Sequence, residues 1–483
     1  MLARAVTFAL VGLEPRRVEV EAHLQGGLPA LAIVGLADRA CQEAKQRVRS
    51  GILSAELEWP DGRITVNLAP AELKKEGSGF DLPIALALLA ASRQIPPARL
   101  EEHASCGELA LDGRTRRVGG VLAVAEGARR IGLERLICPY DACTEAALAG
   151  VEPVGVRHLA DAVKYLRGAL EPPEFVVGNG RPARPPLDLA DLRGQERARR
   201  ALEIAAAGGH NLLLGGPPGT GKTMLARRLP GILPPLEEEA ALEVTRIHSV
   251  AGLVDPEHPL IGYPPFRAPH HSASTAAIVG GGPRLRPGEA SLAHRGVLLL
   301  DELAEFQRPA LEALRQPLED GEIGVARAVG TVRFPARFQL VGTMNLCACG
   351  ARGDPAARCT CSAQRLAHYR DKLSRALLDR FDLVVTMPRP RATELQAPPG
   401  EPSAAVRARV CAARLRLGSA VPRTAEGDAL LTRAVERLPL SARGRAKVAG
   451  VAATIAALAE AEAVLPEHVA EALAYRTPSE LAV

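Results

Sequence analysis

The sequence predicts an α/β protein of several domains, in which an α/β core lies between an N-terminal α/β domain and a C-terminal helical domain. Three observations lead to this prediction. The chain has 483 residues, more than one hydrophobic core accommodates. Two proline-rich stretches interrupt its periodic patterns. Between them, an apolar run, a glycine-rich turn and a helical pattern follow one another, as strand, loop and helix do in α/β folds.

The proline-rich stretches set the predicted domain bounds. Residues 171–186 and 388–403 each contain five prolines, so neither continues a helix or a central strand, and both are expected to be linkers. We therefore predict a first domain at 1–170, a linker at 171–186, a core at 187–387, a second linker at 388–402 and a helical domain at 403–483.

The outer domains have distinct patterns. The segment from Met1 to Gly12 resembles a signal peptide, but it continues into an alternating strand without a clear cleavage site, so we expect a first strand. Further on, the patterns predict strands at 18–23, 31–34, 64–68 and 134–138, and helices at 39–54, 82–92 and from 118. The last domain is expected to contain amphipathic helices at 406–417, 428–438, 442–461 and 466–475.

Composition narrows the class of protein. The chain has no run of eighteen apolar residues, so no membrane span is predicted. Aromatic residues make up 3% of the chain, which argues against a base-stacking surface. The net charge of +5 is compatible with nucleic acid without indicating it. Four of the nine cysteines lie within Cys347–Cys361, which favours a reducing cytosol and one metal site over a disulfide framework.

Residues Gly215–Thr223 have the pattern of a phosphate-binding loop. A buried strand is expected before it at His210–Leu214, and a helix after it at Lys222–Leu229. Glycines let backbone N–H groups converge on a polyphosphate, and the helix N-terminus adds partial positive charge. We expect Lys222 to bind the β- and γ-phosphates and Thr223 to ligate Mg²⁺. The alternative is an ordinary turn, but the full context predicts binding and hydrolysis of a nucleoside triphosphate such as ATP.

Two further apolar runs end in polar residues. One ends in Asp301 and Glu302, which suit Mg²⁺ coordination and activation of the attacking water. The other ends in Asn345, which is expected to position water or sense the γ-phosphate. The alternative for Asn345 is a residue that merely ends a strand at a turn.

Two arginines are candidates for stabilising a transferring phosphoryl group. Arg380 is expected on an exposed loop, where its guanidinium suits insertion into a neighbour's site. A surface salt bridge to Asp379 or Asp382 explains Arg380 equally well. Arg443 begins a helix of the last domain and is expected to close over the nucleotide.

Together these motifs resemble AAA+ ATPases of the magnesium-chelatase-like branch. The insert containing Pro265–Ser272 and Gly280–Pro283 is most similar to the ComM/YifB family, and the resemblance covers essentially the whole chain. It implies sensor 1 at Asn345, a trans finger at Arg380 and sensor 2 at Arg443. The implied nucleotide-binding residues are Gly194, Gln195, Gly216, Pro217, Pro218, Gly219, Thr220, Gly221, Lys222 and Thr223.

The family resemblance also implies a function. It implies a cytoplasmic, hexameric, ATP-driven motor that promotes branch migration and unwinding of DNA during natural transformation and recombination. Its partners would be single-stranded and branched DNA, further copies of itself and recombination proteins. A finger that acts in trans requires a neighbour, and head-to-tail contacts that close give a ring.

The cysteine cluster has the composition of a metal site. Cys347 and Cys349 are separated by nine residues from Cys359 and Cys361, and four thiolates satisfy a tetrahedral Zn²⁺. The spacing within each pair is tighter than in common zinc motifs. Free thiols and a redox switch therefore remain alternatives to structural zinc.

Two other segments of the core carry candidate residues. His270 and His271 are expected to be locally bonded loop residues, or else to contact DNA or couple the ATP site to the insert. Residues 323–335 alternate and are expected to form a hairpin that turns at Gly330. The resemblance places such a hairpin in the channel of a ring, with Arg327 and Arg333 as phosphate contacts. A solvated strand is the alternative.

The first domain resembles the Lon-protease fold, on the segments Lys75–Ala85 and Gly107–Val121. A Ser-Lys protease needs a serine beside a lysine of lowered pKa. Here Ser78 lies one place early, Gly79 occupies the expected position, and Val124 stands where the lysine would fall. We therefore expect no proteolysis, and a scaffold or DNA-engaging role instead.

Three functions compete on this evidence. A DNA motor is the leading hypothesis, and an ATP-driven protein-remodelling subunit of the magnesium-chelatase type is the alternative. A Lon-like protease is disfavoured by Val124. DNA stimulation of ATP hydrolysis separates the first from the second.

Overall fold

The structure is a computed structural model that describes residues 1–171, 173, 187–282, 285–327, 330–419, 421–438 and 440–476. Most of the predicted linker at 171–186 lies outside these residues. Within the described part of the chain, no helix has both the length and the apolar character needed to cross a bilayer.

The first domain is built on a mixed sheet. Its strands are β1 (Leu2–Val11), β2 (Glu14–Gln25), β3 (Ala30–Val34), β4 (Arg63–Ala69), β5 (His103–Ser105), β6 (Glu108–Leu109), β7 (Thr115–Arg116), β8 (Arg135–Pro139) and β9 (Glu152–Val156). Its helices are α1 (Arg39–Ser54), α2 (Asp81–Ala91), α3 (Pro97–Glu101), α4 (Val121–Arg130), α5 (Cys143–Ala147) and α6 (Leu159–Leu166). Seven strands form one sheet in the order β3-β4-β2-β1-β5-β8-β9.

The patterns of the first domain are confirmed by this sheet and its helices. The segment that resembled a signal peptide is β1, which pairs antiparallel with β2 from Leu2↔His23 to Val11↔Glu14. Helix α2 is buried at every residue, because its sequence is apolar on all sides after Asp81. Asp81 receives hydrogen bonds from Arg47 at 2.6 and 3.0 Å, which pair its buried carboxylate.

The second domain contains a parallel sheet. Its strands are β10 (Leu212–Gly215), β11 (Phe266–Arg267), β12 (Val297–Leu300), β13 (Glu322–Arg327), β14 (Gly330–Pro335), β15 (Gln339–Met344) and β16 (Leu383–Thr386). Its helices are α7 (Glu196–Gly208), α8 (Lys222–Ala226), α9 (Leu229–Ile232), α10 (Glu238–Ala251), α11 (Thr275–Val279), α12 (Glu289–Leu292), α13 (Arg308–Ala313), α14 (Arg315–Asp320), α15 (Ala363–Asp371), α16 (Arg375–Leu378) and α17 (Ala392–Leu395). The sheet order is β11-β12-β15-β10-β16, and strands β10, β12 and β15 are buried throughout.

Two local predictions for this domain are corrected. The helix expected at Lys222–Leu229 ends at Ala226, because Pro230 lacks the N–H that would bond the Ala226 carbonyl. Gly330 is the first residue of β14 and pairs with Arg327, so it is not the turn itself. The residues between them lie outside the described part of the chain.

The third domain contains the four helices expected from its patterns. They are α18 (Ser403–Leu417), α19 (Ala425–Arg437), α20 (Ala442–Leu458) and α21 (Pro466–Ala474). Their buried faces share one hydrophobic core with α7, β10 and β16. The proline-rich segment before them is bonded to the second domain, since Gly400 N–H donates to the Ala190 carbonyl at 3.1 Å.

Helix α10 joins the first domain to the second. At its end, the Ser249 carbonyl accepts from Gly120 N–H at 2.9 Å, and the Ser249 hydroxyl donates to the buried Glu145 carboxylate. Glu145 also accepts from Leu122 N–H at 3.0 Å and from Arg117. Helix α10 is thus fixed to the first domain through Glu145, whose buried carboxylate is fully paired.

Candidate nucleotide-binding site

The predicted nucleotide residues lie at one edge of the parallel sheet. Strands β10 and β12 each pair in parallel with β15, in the registers Gly215↔Met344 and Leu300↔Gly342. The loop after Gly215, the carboxylates after Leu300 and Asn345 after Met344 therefore follow adjacent carboxyl ends. Ligands of open α/β sheets bind at this edge.

The loop between β10 and α8 has the backbone that a phosphate cradle needs. Gly216, Gly219 and Gly221 have φ values of 156°, 76° and 89°, in the region that favours glycine. A Cβ on Gly216 would lie 2.3 Å from the Met387 carbonyl oxygen, so glycine is required there. The loop then enters α8, whose N-terminus has no side-chain cap, and helix N-termini attract anions.

Lys222 is the cation of this loop. Its ammonium donates to the carbonyls of Gly216 at 2.8 Å and Pro217 at 2.7 Å, and lies 3.4 Å from Asn345 Oδ1. Burial lowers the pKa of Lys222, while the nearby carboxylates of Asp301 and Glu302 raise it. The structure therefore brings Lys222 and Asn345 together, as a site for a γ-phosphate requires.

Asp301 lies beside the Thr223 hydroxyl. Its Oδ1 accepts from Thr223 at 2.8 Å and from Thr343 at 2.5 Å. Thr343 also accepts from Glu302 N–H at 3.0 Å, so one hydroxyl holds the Asp301 carboxylate and the backbone of Glu302. Hydroxyl and carboxylate oxygens are ligands that suit Mg²⁺, and Thr223 with Asp301 would hold it here. The sequence analysis missed Thr343, although a threonine in an apolar strand was a usable signal.

Glu302 is the exposed member of the acid pair. Its φ of 56° places it in the left-handed region, which is unusual for a non-glycine residue. Its carboxylate lies 3.8 Å from His271 Nδ1, and the His271 ring stacks on His270 at 4.0 Å between centroids. His270 is bonded locally, as the first alternative for the pair expected, because its Nδ1 lies 2.8 Å from the Ser272 hydroxyl and accepts from Ser272 N–H.

Gln195 connects the start of the domain to the loop. Its side chain donates to the Pro388 carbonyl at 2.7 Å and to the Thr220 carbonyl at 3.4 Å. Gly194 lies in the same turn, with a φ of 67°. Leu192 is close by, since a Cβ on Gly221 would lie 3.3 Å from Leu192 Cδ1. These contacts bring the Gly194–Gln195 turn against the phosphate loop.

The two arginines lie at the other end of the strands. The backbone carbonyl of Arg380 accepts a hydrogen bond from the Asn211 side chain. Asn211 precedes β10 and the phosphate loop follows it, so the length of β10, about 13 Å, separates Asn211 from the loop. Arg380 pairs with Glu319, and Arg443 donates to the same carboxylate at 2.9 Å. Arg443 also lies 3.9 Å from Asp379. Arg380 pairs with neither aspartate considered from sequence, and its side chain is buried rather than on an exposed loop.

The four cysteines converge. Their Sγ atoms all lie within 4.8 Å of one another. Three pairs are separated by 3.3, 3.6 and 3.7 Å, close to the ~3.8 Å that a tetrahedron with 2.3 Å Zn–S bonds requires. Hydrogen bonds at the backbone of Ala351 and Thr360 lower the pKa of Cys349, whereas desolvation raises the pKa of Cys347 and Cys361. The donor set therefore fits Zn²⁺.

The hairpin β13–β14 contains both candidate DNA contacts, and the structure describes the side chain of one of them, Arg333. Arg333 is 71% exposed and pairs with Glu322 at 2.7 Å. The side chain of Arg327 lies outside the described residues. At its base, Val332 and Phe334 pack with Leu13 of the first domain.

The first domain holds no Ser-Lys pair at the predicted position. The Ser78 hydroxyl donates to the Glu108 carboxylate. Val124 is buried on α4 in an apolar cluster. Lys75, the first residue of the segment 75–85, is buried and donates to the Pro70 carbonyl. A valine cannot act as the base that a serine nucleophile needs.

Comparison with known families identifies the class of protein. Residues 188–395 match the family described as magnesium chelatase, subunit ChlI. Residues 20–142 match the family described as subunit ChlI of Mg-chelatase, and residues 416–476 match the C-terminal family of the same subunit. The protein is therefore a magnesium-chelatase-like AAA+ ATPase.

Similarity over the full length narrows this class, and the chain belongs to the ComM/YifB family. It is 42% identical to the competence protein ComM of Haemophilus influenzae over 502 residues, which cover 98% of this chain and 97% of that protein. It is 42% identical to YifB of Escherichia coli over 498 residues, with 99% and 97% covered. A Mycobacterium tuberculosis protein is 49% identical over 415 residues, with 86% and 82% covered.

Proposed function

We propose that the protein is an ATP-driven motor on DNA that works as a ring of identical copies, with six as the expected number. Its substrates would be single-stranded and branched DNA, and its role the branch migration and unwinding of DNA taken up in natural transformation and recombination. The name of the Haemophilus influenzae relative, competence protein ComM, supports this assignment. We expect it to act in the cytoplasm, where recombination proteins would be its partners.

The position of the two arginines is the observation that carries the proposal. Arg380 and Arg443 meet at Glu319, at the opposite end of β10 from the phosphate loop. A guanidinium there serves phosphoryl transfer only by reaching the nucleotide of a neighbouring copy. Each site would then be complete only between two copies, which favours a closed ring.

The residues of the site suggest how hydrolysis proceeds. The N–H groups of the loop and Lys222 would bind the phosphates, and Thr223 with Asp301 would hold Mg²⁺, which neutralises charge on the phosphate oxygens. Glu302 would accept the proton of the attacking water, and Asn345 would orient that water near the γ-phosphate. Arg380 of a neighbour would stabilise the charge of the transition state.

Contact with DNA would come from the hairpin β13–β14. The Arg333 side chain is exposed at its surface, and the exposed guanidinium suits a phosphate contact. Because few phosphates would be contacted and the net charge is only +5, binding is expected to be modest and sensitive to salt. The first domain, with a Lon-like fold and no catalytic dyad, would act as a scaffold.

The test measures ATP hydrolysis by the intact protein with no DNA, with single-stranded DNA and with a four-way junction. We expect DNA to raise the rate severalfold, and Lys222→Ala to abolish it. Arg333→Ala should lose the stimulation and keep the basal rate. Arg423→Ala is the matched control, because Arg423 is a partly exposed arginine paired with Asp428.

A protein-remodelling subunit of the magnesium-chelatase type is the second candidate. The matches to subunit ChlI families in all three domains favour it. This function predicts ATP hydrolysis that does not respond to either form of DNA. An unchanged rate with both DNA substrates would therefore select it over the motor.

A further inference from the structure

The four-cysteine loop, residues 347–361, begins at the nucleotide site. Cys347 follows Asn345 by two residues and is buried. Asn345 Oδ1 lies 3.4 Å from the Lys222 ammonium. The first thiol is thus separated from the γ-phosphate position by one short stretch of backbone.

The other end of the loop returns to the same asparagine. Ser362 follows the last cysteine and begins α15, where its hydroxyl accepts from Arg365 N–H. Tyr369 of this helix is buried, and its hydroxyl donates to the backbone carbonyl of Asn345 at 3.2 Å. Asn345 is therefore connected to both ends of the loop, by the chain at one end and by Tyr369 at the other. A loop of fixed shape would fix the position of Asn345.

The middle of the loop contacts the phosphate loop. A Cβ on Gly350 would lie 3.0 Å from Pro218 Cγ, and the φ of Gly350 is 79°, so glycine permits a close approach. Asp354 pairs with Arg389 at 3.2 Å. Arg389 follows Pro388, whose carbonyl is held by Gln195.

Within the described residues, this loop has no helix, strand or apolar cluster to hold its shape. Its backbone bonds are those of local turns, such as Gly350 N–H to the Cys347 carbonyl at 3.1 Å. Arg352 N–H donates to Cys347 Sγ at 3.3 Å. Segments of this kind gain their fold from a metal, because four thiolates closed around zinc constrain the chain as a small core does.

We infer that a zinc ion bound by Cys347, Cys349, Cys359 and Cys361 braces Asn345 and the phosphate loop, so that nucleotide affinity depends on zinc occupancy. The inference rests on the nucleotide site of the proposed function, but not on its DNA substrate. All four ligands come from the protein, so the ion would position residues and take no part in hydrolysis.

The test uses the full chain purified under reducing conditions. Elemental analysis should find one zinc per chain, and cobalt(II) added to stripped protein should give the absorption of a tetrahedral thiolate complex. Binding of a fluorescent ATP analogue with Mg²⁺ is then measured before and after zinc removal. We expect affinity to fall about tenfold or more without zinc and to recover on adding zinc alone.

Variants distinguish an effect of zinc loss on nucleotide affinity from an effect of general unfolding. Cys349→Ser and Cys361→Ser should lose zinc, and their nucleotide affinity should fall as much as it does on zinc removal. Cys411→Ser should change neither zinc content nor affinity, because Cys411 lies outside the cluster. If a variant fails to fold, chelation and zinc return on the unaltered chain, with circular dichroism as a check on folding, still decide the question.

The possible failures are distinguishable. Purified protein that holds no zinc and gives no thiolate spectrum with cobalt would overturn the metal site. Equal nucleotide affinity with and without zinc would overturn the brace. Zinc-loaded protein that binds no nucleotide at all would overturn the proposed ATP site itself.

Discussion

Glu319 connects the two arginines that the sequence analysis associated with phosphoryl transfer. It accepts from both Arg380 and Arg443, and the Arg380 side chain is only 7% exposed. Among the described residues, Arg380 Nε is buried without a hydrogen-bond partner. A buried N–H without an acceptor costs free energy, so Arg380 stands to gain from an oxygen supplied by another copy.

Mixing two inactive variants tests whether neighbouring copies share a site. Lys222→Ala removes the phosphate cation of one chain, and Arg380→Ala removes the finger of another. Equal amounts together should recover about a quarter of the original ATP hydrolysis, since about a quarter of random contacts join an intact pocket to an intact finger. Arg443→Ala mixed with Lys222→Ala should behave in the same way.

The control mixes Lys222→Ala with Glu302→Gln. Both residues lie in the pocket of one chain, so no contact between these variants contains a complete site. This mixture should stay inactive. If the arginine mixtures are equally inactive although the variants assemble normally, the shared site is wrong.

Arg47 provides a second prediction at this scale. Its partner Asp81 is fully buried, and burial raises the pKa of Asp81 even though Arg47 lowers it. Arg47→Met should cost about 3 kcal/mol of unfolding free energy near pH 8, because a buried carboxylate loses its partner. A carboxyl with a raised folded-state pKa favours folding at low pH, so the cost should shrink as the pH falls.

Chemical denaturation at pH 8 and pH 5.5 measures both effects. Arg39→Met is the control, since Arg39 is 93% exposed and pairs with a surface glutamate, which is worth about 0–1 kcal/mol. A loss for Arg47→Met as small as that of the control would contradict the prediction.

Single residues differed in how well the sequence predicted them. Lys222 and Asp301 were predictable because local patterns, a glycine-rich loop and an apolar run, fix their chemistry. Thr343 contacts Asp301, which is 42 residues away in the sequence, and Glu319 contacts Arg380, which is 61 residues away. Such partners depend on the packing of several elements, which one sequence does not specify.

At the scale of elements, β15 is the strand on which the site is aligned. It lies between β10 and β12 and carries Gly342, where a Cβ would lie 3.0 Å from both Leu213 and Phe381. Glycine therefore permits the close packing of β15 against Leu213 of β10 and against Phe381. The strand was predictable from its apolar run, but the need for this glycine was visible only in the packed sheet.

Gly342→Val should overpack this strand. We expect a loss of about 2 kcal/mol in unfolding free energy and weaker nucleotide binding, because β15 ends next to Asn345. Gly324→Val is the matched control, since Gly324 lies in exposed strand β13 and its nearest neighbour would be 3.7 Å away. Thermal unfolding and nucleotide titration measure both variants, and equal effects would contradict the packing argument.

At the scale of the whole molecule, the contact between the first domain and α10 stands out. Glu145 is 1% exposed and receives Arg117, Leu122 and Ser249, two from its own domain and one from α10. The proline-rich breaks predict where the chain divides into domains, and those bounds stay a prediction. The contact of Glu145 with Ser249 was not predictable, because both are ordinary residues whose pairing depends on the assembled fold.

Glu145→Ala should loosen this contact while leaving the nucleotide pocket intact. Hydrogen exchange should become faster at residues 117–122 and 249–254, with no change in the phosphate loop. Glu152→Ala is the control, because Glu152 pairs with Arg135 at the surface of the same domain. Unchanged exchange at α10 would show that other contacts hold the domains together.

Helix α10 follows the phosphate loop in the chain and precedes the insert. Its last turn is hydrogen-bonded to Gly120 and Glu145 of the first domain. The hairpin β13–β14 adds a second contact with the first domain at Leu13, so two elements of the second domain set the position of the first. A tilt of α10 during a catalytic cycle would therefore rotate the sheet of the first domain. The resulting displacement would be larger at the strands far from α10 than at the residues next to it.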